Sequence, residues 1–305
     1  MSARQVAIYA PSGFAQEPAA LDRAVALLAA RGCEVHVDAS ALARHARFAG
    51  TDEERLAAIH RAAALPGKGI ALALRGGYGW TRLLHRLDYR ALAASGKRWV
   101  GHSDFTAFQM AMLAATGAVT YAGPMAAYDF GAGEPSEYTI AHAFAMLDQG
   151  EDEASFETDA REVDAEGPLW GGNLTMIASL VGTPFLPRVD GGILFVEDVS
   201  EHPYRIERML YQLHHAGILG RQRALLLGAF TGYELGPQDN GYDLRGAIDH
   251  LRDVCGVPIV TGLPFGHVRD KLTLPVGGRA RLAVRDGEAG LAMSDGAAGR
   301  RTAAR

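Results

Sequence analysis

Residues 69–79 read Gly-Ile-Ala-Leu-Ala-Leu-Arg-Gly-Gly-Tyr-Gly, and this stretch decides the fold class. The continuous apolar run from Gly69 to Leu74 is typical of a strand that is buried on both faces of a parallel sheet. It ends in a glycine-rich loop over Arg75–Gly79. Loops at the carboxyl ends of strands hold the ligands of open parallel sheets. The stretch therefore predicts an α/β protein with a site at this loop.

Outward from this strand, apolar runs alternate with helical patterns. Residues 17–31 have helical spacing, and Thr51–Glu54 is a capping box that opens a second helix. A third helix is predicted over about Phe105–Ala115. Further strands are predicted at Val6–Tyr9, Glu34–Val37, Trp99–Gly101 and Ala118–Tyr121. This order predicts a parallel sheet with helices on both faces.

The second half of the chain has a different pattern. An acidic, weakly periodic segment over residues 148–168 predicts a linker. Beyond it, a strand is predicted at Gly192–Val196 and a β-hairpin within Leu272–Met293, with its turn at Asp286–Gly287. We therefore expect an N-terminal domain over residues 1–147, the linker, a C-terminal domain over 169–296 and a frayed tail over 297–305.

Composition narrows the class of protein. The chain has 305 residues and a net charge of −5, whereas a nucleic-acid-binding protein needs clustered Lys and Arg to contact phosphates. Cys33 and Cys255 lie in apolar segments, which favours free buried thiols in a reducing compartment. The N-terminus has no apolar signal segment, and no stretch approaches the ~20 apolar residues of a membrane span. We expect a cytoplasmic protein without nucleic-acid or membrane partners.

Three loops leave predicted strand ends in the first half: Pro11–Gly13, Arg75–Gly79 and Gly101–Asp104. These loops should face one crevice. Ser103 is the candidate nucleophile, because it follows a strand, precedes a helix and has a small neighbour in Gly101. The backbone N–H of Asp104, at the helix start, would then point toward a developing oxyanion. The alternative is that Ser103 only caps the helix.

A serine nucleophile needs a base and a carboxylate that orients the base. His267 follows a predicted strand in a Gly/Pro-rich loop, which is typical of a functional residue held by a scaffold. His102 is adjacent to Ser103 and is expected to point away from it. His214 and His215 are expected to be solvated at a helix end. Glu197 ends a predicted strand and is the candidate carboxylate, with Asp198 as its rival.

Taken together, these segments resemble the successive motifs of the LD-carboxypeptidases. The similarity runs from about residue 5 to 290, and the motifs occur in the order found in that family. The stretch Glu201–Leu219 is further similar to the branch that acts on muramoyl tetrapeptide. The segments that carry the resemblance are Arg75–Gly79, Gly101–Asp104, Gly123–Pro124, Trp170–Leu174, Leu194–Asp198 and Gly266–His267 with Leu274–Gly277.

The resemblance implies a fold and a catalytic set. The first half would be a flavodoxin-like domain similar to class I glutamine amidotransferases, and the second a smaller domain similar to a swivelling barrel. Ser103 would be the nucleophile, His267 the general base and then acid, and Glu197 the residue that orients His267. The backbone N–H groups of Gly77 and Asp104 would form the oxyanion hole.

The resemblance also implies a reaction. It is hydrolysis of the bond between the L-centre of the diamino acid and the terminal D-Ala of a murein tetrapeptide, through an acyl-enzyme, in peptidoglycan recycling. No metal or cofactor would be required, and the protein would be a homodimer. The sequence has no His-Glu-x-x-His motif and no cysteine cluster, in agreement with a metal-free mechanism.

Substrate-binding residues are predicted on the glycine-rich loop and at the start of the second half. Arg75, with the N–H groups of Gly76 and Gly77, is a candidate for holding the terminal carboxylate of the substrate. The alternative is that Arg75 pairs with an acid of the protein. Tyr78, Trp170 and Asn173 are expected to line the peptide groove, although a buried aromatic residue at a domain seam would have the same sequence pattern.

Two other functions stay open. Relatives of the family cleave the amide of acyl-aminoacyl nucleotide antibiotics and confer self-immunity; such an enzyme would use an aromatic ring, such as Trp170, to stack a base. A non-catalytic module could instead hold a phosphate or a sugar on its glycine-rich loops. A glutamine amidotransferase is disfavoured, because the turn at Ser103 lacks the cysteine nucleophile of that class.

Overall fold

The computed structural model describes residues 4–296; the predicted tail lies outside the described residues. The helices in this part of the chain are α1 (Pro18–Ala30), α2 (Asp52–Ala64), α3 (Tyr89–Ala94), α4 (Phe105–Thr116), α5 (Glu137–Gln149), α6 (Leu174–Ser179), α7 (Pro203–His215) and α8 (Leu244–Cys255). The strands are β1 (Arg4–Tyr9), β2 (Cys33–Val37), β3 (Ile70–Ala73), β4 (Arg98–Gly101), β5 (Thr120–Ala122), β6 (Glu151–Glu157), β7 (Val163–Asn173), β8 (Ile193–Val199), β9 (Ala224–Thr231), β10 (Ile259–Val260), β11 (Leu274–Val276), β12 (Arg279–Arg285) and β13 (Glu288–Ser294).

The first sheet confirms the predicted fold class. Its strand order is β2-β1-β3-β4-β5-β11, and β1 to β5 are parallel. The order of the five parallel strands is that of flavodoxin-like sheets. In such a sheet, ligands bind outside the carboxyl ends of the strands. The loops that follow β3 and β4 therefore lie at the same edge.

Local signals in the sequence account for the helices of this half. The hydroxyl of Thr51 accepts from the N–H of Glu54 (3.2 Å), and the Glu54 carboxylate accepts from the N–H of Thr51 (2.7 Å), so the predicted capping box is present. Helix α4 is apolar along most of its length, and Gly117 ends it in a left-handed conformation (φ 68°). Phe108 of this helix stacks on Trp80 with 4.5 Å between ring centroids. This packing fixes the helix that begins next to Ser103.

The second sheet is mixed and curls into a half-barrel. Its order is β10-β9-β8-β7-β12-β13-β6, with β7 to β10 parallel and the remaining pairs antiparallel. The pairing of β8 with β9 shifts between Val196 and Asp198, where β8 advances two residues and β9 advances three, from Leu227 to Phe230. The extra residue of this bulge therefore lies in β9, opposite Glu197, and a bulge bends the local strand pair.

The segment predicted as a linker is instead part of this sheet. Residues 151–157 form the edge strand β6, and residues 163–168 begin β7. In β6, exposed residues alternate with half-buried ones. Charged residues on the outer face of an edge strand discourage pairing with other chains, and they also conceal the strand pattern in the sequence. The domain boundaries at residues 147 and 169 stay predictions.

The end of the described chain returns to the first sheet. The predicted hairpin is confirmed by β12 and β13, which turn at Asp286–Gly287. Leu274–Val276, however, is not part of the hairpin: it forms β11, which pairs antiparallel with β5. The segment that carries His267 is therefore held by β10 of the second sheet on one side and by β11 of the first sheet on the other.

The structure also describes both cysteines and the length and polarity of the helices. Cys33 and Cys255 are buried free cysteines, as predicted. No helix within residues 4–296 is long and apolar enough to cross a membrane.

Candidate active site

A cavity of about 630 Å³ lies where the loops after β3 and β4 meet the segment before β11. Both halves of the chain contribute to its wall. The lining residues used below are Arg75, Gly76, Gly77, His102, Ser103, Tyr128, Asp129, Glu134, His267, Arg269 and Lys271.

Ser103 lies in the loop between β4 and α4 with a left-handed backbone (φ 65°). A non-glycine residue rarely adopts this conformation, and it persists only where the surroundings enforce it. Gly101 is part of that enforcement, because a Cβ there would lie 2.5 Å from the ring of Phe105. Phe105 stands where a second glycine would follow the nucleophile in a hydrolase elbow, and its ring fills the space above Gly101. The half-buried Ser103 lines the cavity.

His267 and Glu197 come from distant parts of the second half of the chain and lie within hydrogen-bond distance of each other. His267 Nδ1 lies 2.8 Å from Glu197 Oε2. The Glu197 side chain is fully buried, whereas that of His267 is about a quarter exposed. Burial opposes ionisation of Glu197, but the imidazoles of His102 and His267 outweigh it and lower the pKa of this carboxyl to about 2. An ionised carboxylate therefore holds Nδ1 of His267, which leaves Nε2 to act on another group.

The loop that carries His267 is fixed to β9. The N–H of Ala229 donates to the carbonyl of Phe265 (2.8 Å), and the N–H of Leu263 donates to that of Leu227 (3.2 Å). Gly266 (φ 142°) allows the loop to pass close to Ala229, whose carbonyl oxygen would lie 3.0 Å from a Cβ on the glycine. The placement of His267 is thus determined by backbone contacts and not by its side chain alone.

Both Ser103 and His267 line the cavity, but no hydrogen bond joins them among the described residues. Hydrogen bonds between catalytic groups are often long in unliganded enzymes and tighten in the complex with substrate. The pair of His267 and Glu197 is therefore formed in this structure, whereas contact with Ser103 is not.

His102 is closer to this pair than the sequence suggested. Its ring lies against that of His267 (centroids 4.5 Å apart), and its Nε2 lies 3.5 Å from Glu197 Oε1. Burial lowers the pKa of His102, so the ring is neutral near pH 7. The expectation that His102 points away from Ser103 is not contradicted, since no hydrogen bond joins them among the described residues, but its contacts with His267 and Glu197 were not predicted. Adjacency to Ser103 was its only signal in the sequence, and the left-handed backbone at Ser103 makes ordinary turn geometry a poor guide.

Asn173 connects the carboxylates of Glu197 and Asp198 through hydrogen bonds. The amide of Asn173 donates to Glu197 Oε1 (3.3 Å) and to Asp198 Oδ1 (2.9 Å). Asp198 also accepts from the N–H and the hydroxyl of Thr175, both at 2.8 Å. Asp198, the other candidate for orienting His267, instead accepts hydrogen bonds from Thr175 of α6 and forms none with His267 among the described residues. Asn173 is buried and does not line the cavity, so its predicted role in contacting substrate is corrected to one in holding Glu197.

The two predicted aromatic residues of the groove also lie elsewhere. Trp170 is 1% exposed, and its indole N–H donates to Gln222 (2.9 Å), because β7 runs through the centre of the second sheet. Tyr78 is exposed but packs beside Phe48, with 5.9 Å between ring centroids, and is not part of the cavity wall. The aromatic ring on the wall is Tyr128, which is half exposed and which the sequence did not single out.

The N–H groups of Gly77 and Asp104 donate no hydrogen bond to another group in residues 4–296. Gly77 lines the cavity, and Asp104 directly follows Ser103, which also lines it. The side chain of Asp104 is turned away from it and accepts from the Ser12 hydroxyl (3.0 Å) and the Trp80 N–H (2.9 Å). Burial raises the pKa of Asp104 to about 6.

Charged groups on the cavity wall differ in whether an opposite charge lies within ion-pair distance. Lys271 and Asp129 form a buried ion pair (2.6 Å) that the sequence did not single out. Arg75 has no carboxylate within ion-pair distance in the described part of the chain; its guanidinium donates to the carbonyl of Phe14 (3.0 Å) and lies 5.5 Å from the ring of Tyr128. The alternative in which Arg75 pairs with an acid of the protein is therefore not what the structure contains.

Comparisons with known proteins agree with this arrangement. Family models described as the LD-carboxypeptidase N-terminal domain and the LD-carboxypeptidase C-terminal domain match residues 6–123 and 166–282. A protein of Bacillus subtilis named a probable murein peptide carboxypeptidase is 31% identical over 281 residues, which cover 91% of this chain and 88% of the relative.

Solved structures show the same likeness. The crystal structure of muramoyltetrapeptide carboxypeptidase from Oxalobacter formigenes is 49% identical, covers 95% of this chain and 98% of its own, and superposes with a TM-score of 0.91. The microcin C7 self immunity protein MccF superposes with a TM-score of 0.87 over 96% of both chains, but at 20% identity it shows the fold alone. With both family models and close relatives matching nearly its whole length, the chain belongs to the LD-carboxypeptidase family, a family of serine peptidases.

Proposed function

We propose that this protein is a serine LD-carboxypeptidase that releases the terminal D-Ala from a murein tetrapeptide. The observation that carries the proposal is the cavity in which the left-handed Ser103 and the imidazole of His267, bonded to Glu197, share one wall. The 49% identity to a muramoyltetrapeptide carboxypeptidase supports the choice of substrate.

In the proposed mechanism, Nε2 of His267 removes the proton of the Ser103 hydroxyl as the oxygen attacks the carbonyl before D-Ala. Glu197 keeps the proton on Nδ1 and stabilises the imidazolium that forms. The free N–H groups of Gly77 and Asp104 donate to the negatively charged oxygen of the tetrahedral intermediate. Collapse breaks the C–N bond, and His267 gives its proton to the leaving amine of D-Ala.

The second half of the reaction restores the enzyme. Water loses a proton to His267 and attacks the acyl-serine; collapse of this intermediate releases the shortened peptide, and Ser103 recovers its proton from the imidazolium. The chain's own residues supply each of these proton transfers.

Arg75 is proposed to hold the terminal carboxylate of the substrate. Its support is the absence of a carboxylate partner in residues 4–296, since a cation on a cavity wall without a counter-ion favours an anionic ligand. The other cations on the wall are Lys271, which Asp129 neutralises, and the exposed Arg269, which has no carboxylate within ion-pair distance in residues 4–296. Arg75 is preferred over Arg269 because it is half-buried and precedes Gly76, the residue that lies over Ser103.

The proposal includes a reducing cytoplasmic location and a homodimer, as the family resemblance implies. The two free buried cysteines agree with a reducing compartment. Light scattering on the purified protein measures the assembly, and a monomer at all concentrations would remove the dimer from the proposal.

The test is mass spectrometry of murein tetrapeptide incubated with the wild type, Ser103→Ala and Ser179→Ala. Ser179 is an exposed serine at the end of α6 and serves as the matched control. The wild type and the control should remove one alanine, and Ser103→Ala should not. Activity in Ser103→Ala would overturn the serine mechanism.

Two competing functions are distinguished in the same experiment. If the wild type left the peptide intact but cleaved aspartyl sulfamoyl adenosine, a compound bound by MccF, the substrate class would change to the nucleotide amides. A binding module would cleave neither compound, and its Ser103 would not react with a fluorophosphonate.

A further inference from the structure

His102, Glu197 and His267 form a compact group of three donor residues. His267 Nδ1 lies 2.8 Å from Glu197 Oε2, and His102 Nε2 lies 3.5 Å from Glu197 Oε1. One donor atom from each residue can be chosen so that all three lie within 4.8 Å of one another. The proposed serine mechanism requires His267 and Glu197 but gives no task to His102.

The state of His102 points to a ligand. The residue is 2% exposed; its Nδ1 has no hydrogen-bond partner among the described residues, and its Nε2 has only the Glu197 carboxylate at 3.5 Å, without a hydrogen bond of normal geometry. Buried polar atoms nearly always have a partner, so this imidazole calls for an explanation. Its ring lies against that of His267, with 4.5 Å between centroids, so the two imidazoles are already side by side.

Two imidazoles and one carboxylate are a ligand set that suits Zn²⁺, with a fourth position left for water. In a tetrahedral zinc site with bonds of about 2.1 Å, neighbouring donor atoms lie about 3.4 Å apart. The separation of His102 Nε2 from Glu197 Oε1 is already close to this value. His267 lies against the other oxygen of this carboxylate, Oε2, at 2.8 Å, so the carboxyl group must turn and its contact with His267 must open for one oxygen to bind the ion in place of the proton.

We propose that this group binds a divalent transition-metal ion, Zn²⁺ by its chemistry, and that binding inhibits the enzyme. The ion takes one nitrogen each from His102 and His267 and one oxygen from Glu197, and water from the cavity completes the site. The proton on Nδ1 of His267 is transferred through water to Nε2, so the ring stays a neutral imidazole whose remaining nitrogen carries a proton and cannot accept one from Ser103. His267 then no longer has the carboxylate that orients it and stabilises its charged form, so Ser103 loses its base.

Access and charge are compatible with this site. The ion reaches it from the cavity past His267, whose side chain is about a quarter exposed. Glu197 supplies a negative charge, and the nearby ammonium of Lys271 is neutralised by Asp129 at 2.6 Å. The inhibition rests on the proposed function, whereas the binding of the ion does not.

The binding test uses Ser103→Ala titrated with ZnCl₂ in a calorimeter, since Ser103 is not a ligand and no substrate is needed. We expect one ion per chain. Co²⁺ should give the visible absorption bands of a tetrahedral site. His102→Gln and Glu197→Gln, each added to Ser103→Ala, should weaken zinc binding by about tenfold or more.

The matched control is His215→Gln, which removes an exposed histidine at the end of α7. It should bind zinc as the parent does. In the tetrapeptide assay, the activity of each variant is expressed relative to its own rate without metal. Zn²⁺ should inhibit the wild type and His215→Gln equally. Inhibition of His102→Gln should require about tenfold more of the ion.

The outcomes separate this inference from the proposed function. Zinc binding that is unchanged in both His102→Gln and Glu197→Gln, or the lack of a one-to-one site in Ser103→Ala, would overturn the metal site even if the tetrapeptide is cleaved. Binding that depends on His102 and Glu197, together with an intact tetrapeptide, would support the metal site and remove the proposed function alone.

Discussion

A Cβ atom on Gly76 would lie 2.9 Å from the Cβ of Ser103 and 3.3 Å from its hydroxyl oxygen. The glycine-rich loop therefore lies directly over the candidate nucleophile. Its lack of a side chain at this position is a requirement of the site, because any substituent would displace Ser103 from its conformation or occupy the space of the substrate carbonyl.

Gly76→Ala should consequently lower kcat/KM for tetrapeptide by about a hundredfold, since misplacement of a reacting atom by about an ångström has effects of this size. Steady-state kinetics measures the loss. Gly133→Ala is the control, because a Cβ at Gly133 would have no atom within 4 Å. Full activity in Gly76→Ala would show that the loop moves away from Ser103 during the reaction.

Arg75→Ala should raise KM by about tenfold to a hundredfold with a smaller change in kcat, since a hydrogen bond to a charged group contributes about 1.5–3 kcal/mol. The measurement compares tetrapeptide with its C-terminal amide. The variant and the wild type should differ on the acid but not on the amide. An equal effect on both peptides would assign Arg75 to the structure of the loop and not to the carboxylate.

Glu197→Gln should lower kcat by about 10³–10⁴-fold with little change in KM, because an amide neither holds the Nδ1 proton of His267 nor stabilises the imidazolium. The exposed Glu153 of β6 provides the control, and Glu153→Gln should keep the wild-type rate. A loss of less than tenfold in Glu197→Gln would mean that His267 is oriented by its backbone contacts alone.

Asp104 predicts a pH dependence of stability. Burial raises its pKa to about 6 from 3.8, so between these values the folded protein holds a proton that the unfolded chain has lost. Stability from this group is therefore greatest below the unfolded pKa and falls as the pH rises toward 6, by roughly 2–3 kcal/mol in all.

The test compares Asp104→Asn with the wild type by urea unfolding from pH 4 to 7. The amide oxygen can still accept from the Trp80 N–H, but it does not titrate. The free energy of unfolding of the variant, relative to the wild type, should rise across this range. A constant difference would mean that Asp104 titrates at its ordinary value in the folded protein.

Local patterns in the sequence were sufficient for the parallel sheet, the capping box at Thr51 and the hairpin at Asp286, because the residues that decide these elements are close together in the chain. Placing Ser103 directly after a strand was possible for the same reason, whereas Glu197, expected at a strand end, lies within β8, which runs on to Val199. The residues left Glu197 and Asp198 as rivals for the carboxylate that orients His267, and the family resemblance selected Glu197.

The features that the sequence did not reveal depend on distant contacts. The acidic residues of β6 conceal a strand whose partner, β13, lies far along the chain. Trp170 and Asn173 are buried on the central strand β7 and do not line the cavity, and His102 reaches Glu197 only through the folding of the second half onto the first.

The strand β11 has a consequence for the nascent chain. During synthesis the first half leaves the ribosome early, and β5 remains an open sheet edge until residues 274–276 arrive to pair with it. His267 lies just before β11, so the strand that closes the sheet also delivers the imidazole to the cavity. A chain interrupted before this point would carry the serine without its base and would expose a sheet edge to other chains; peptidase activity would therefore begin only after the segment with His267 and β11 has been translated.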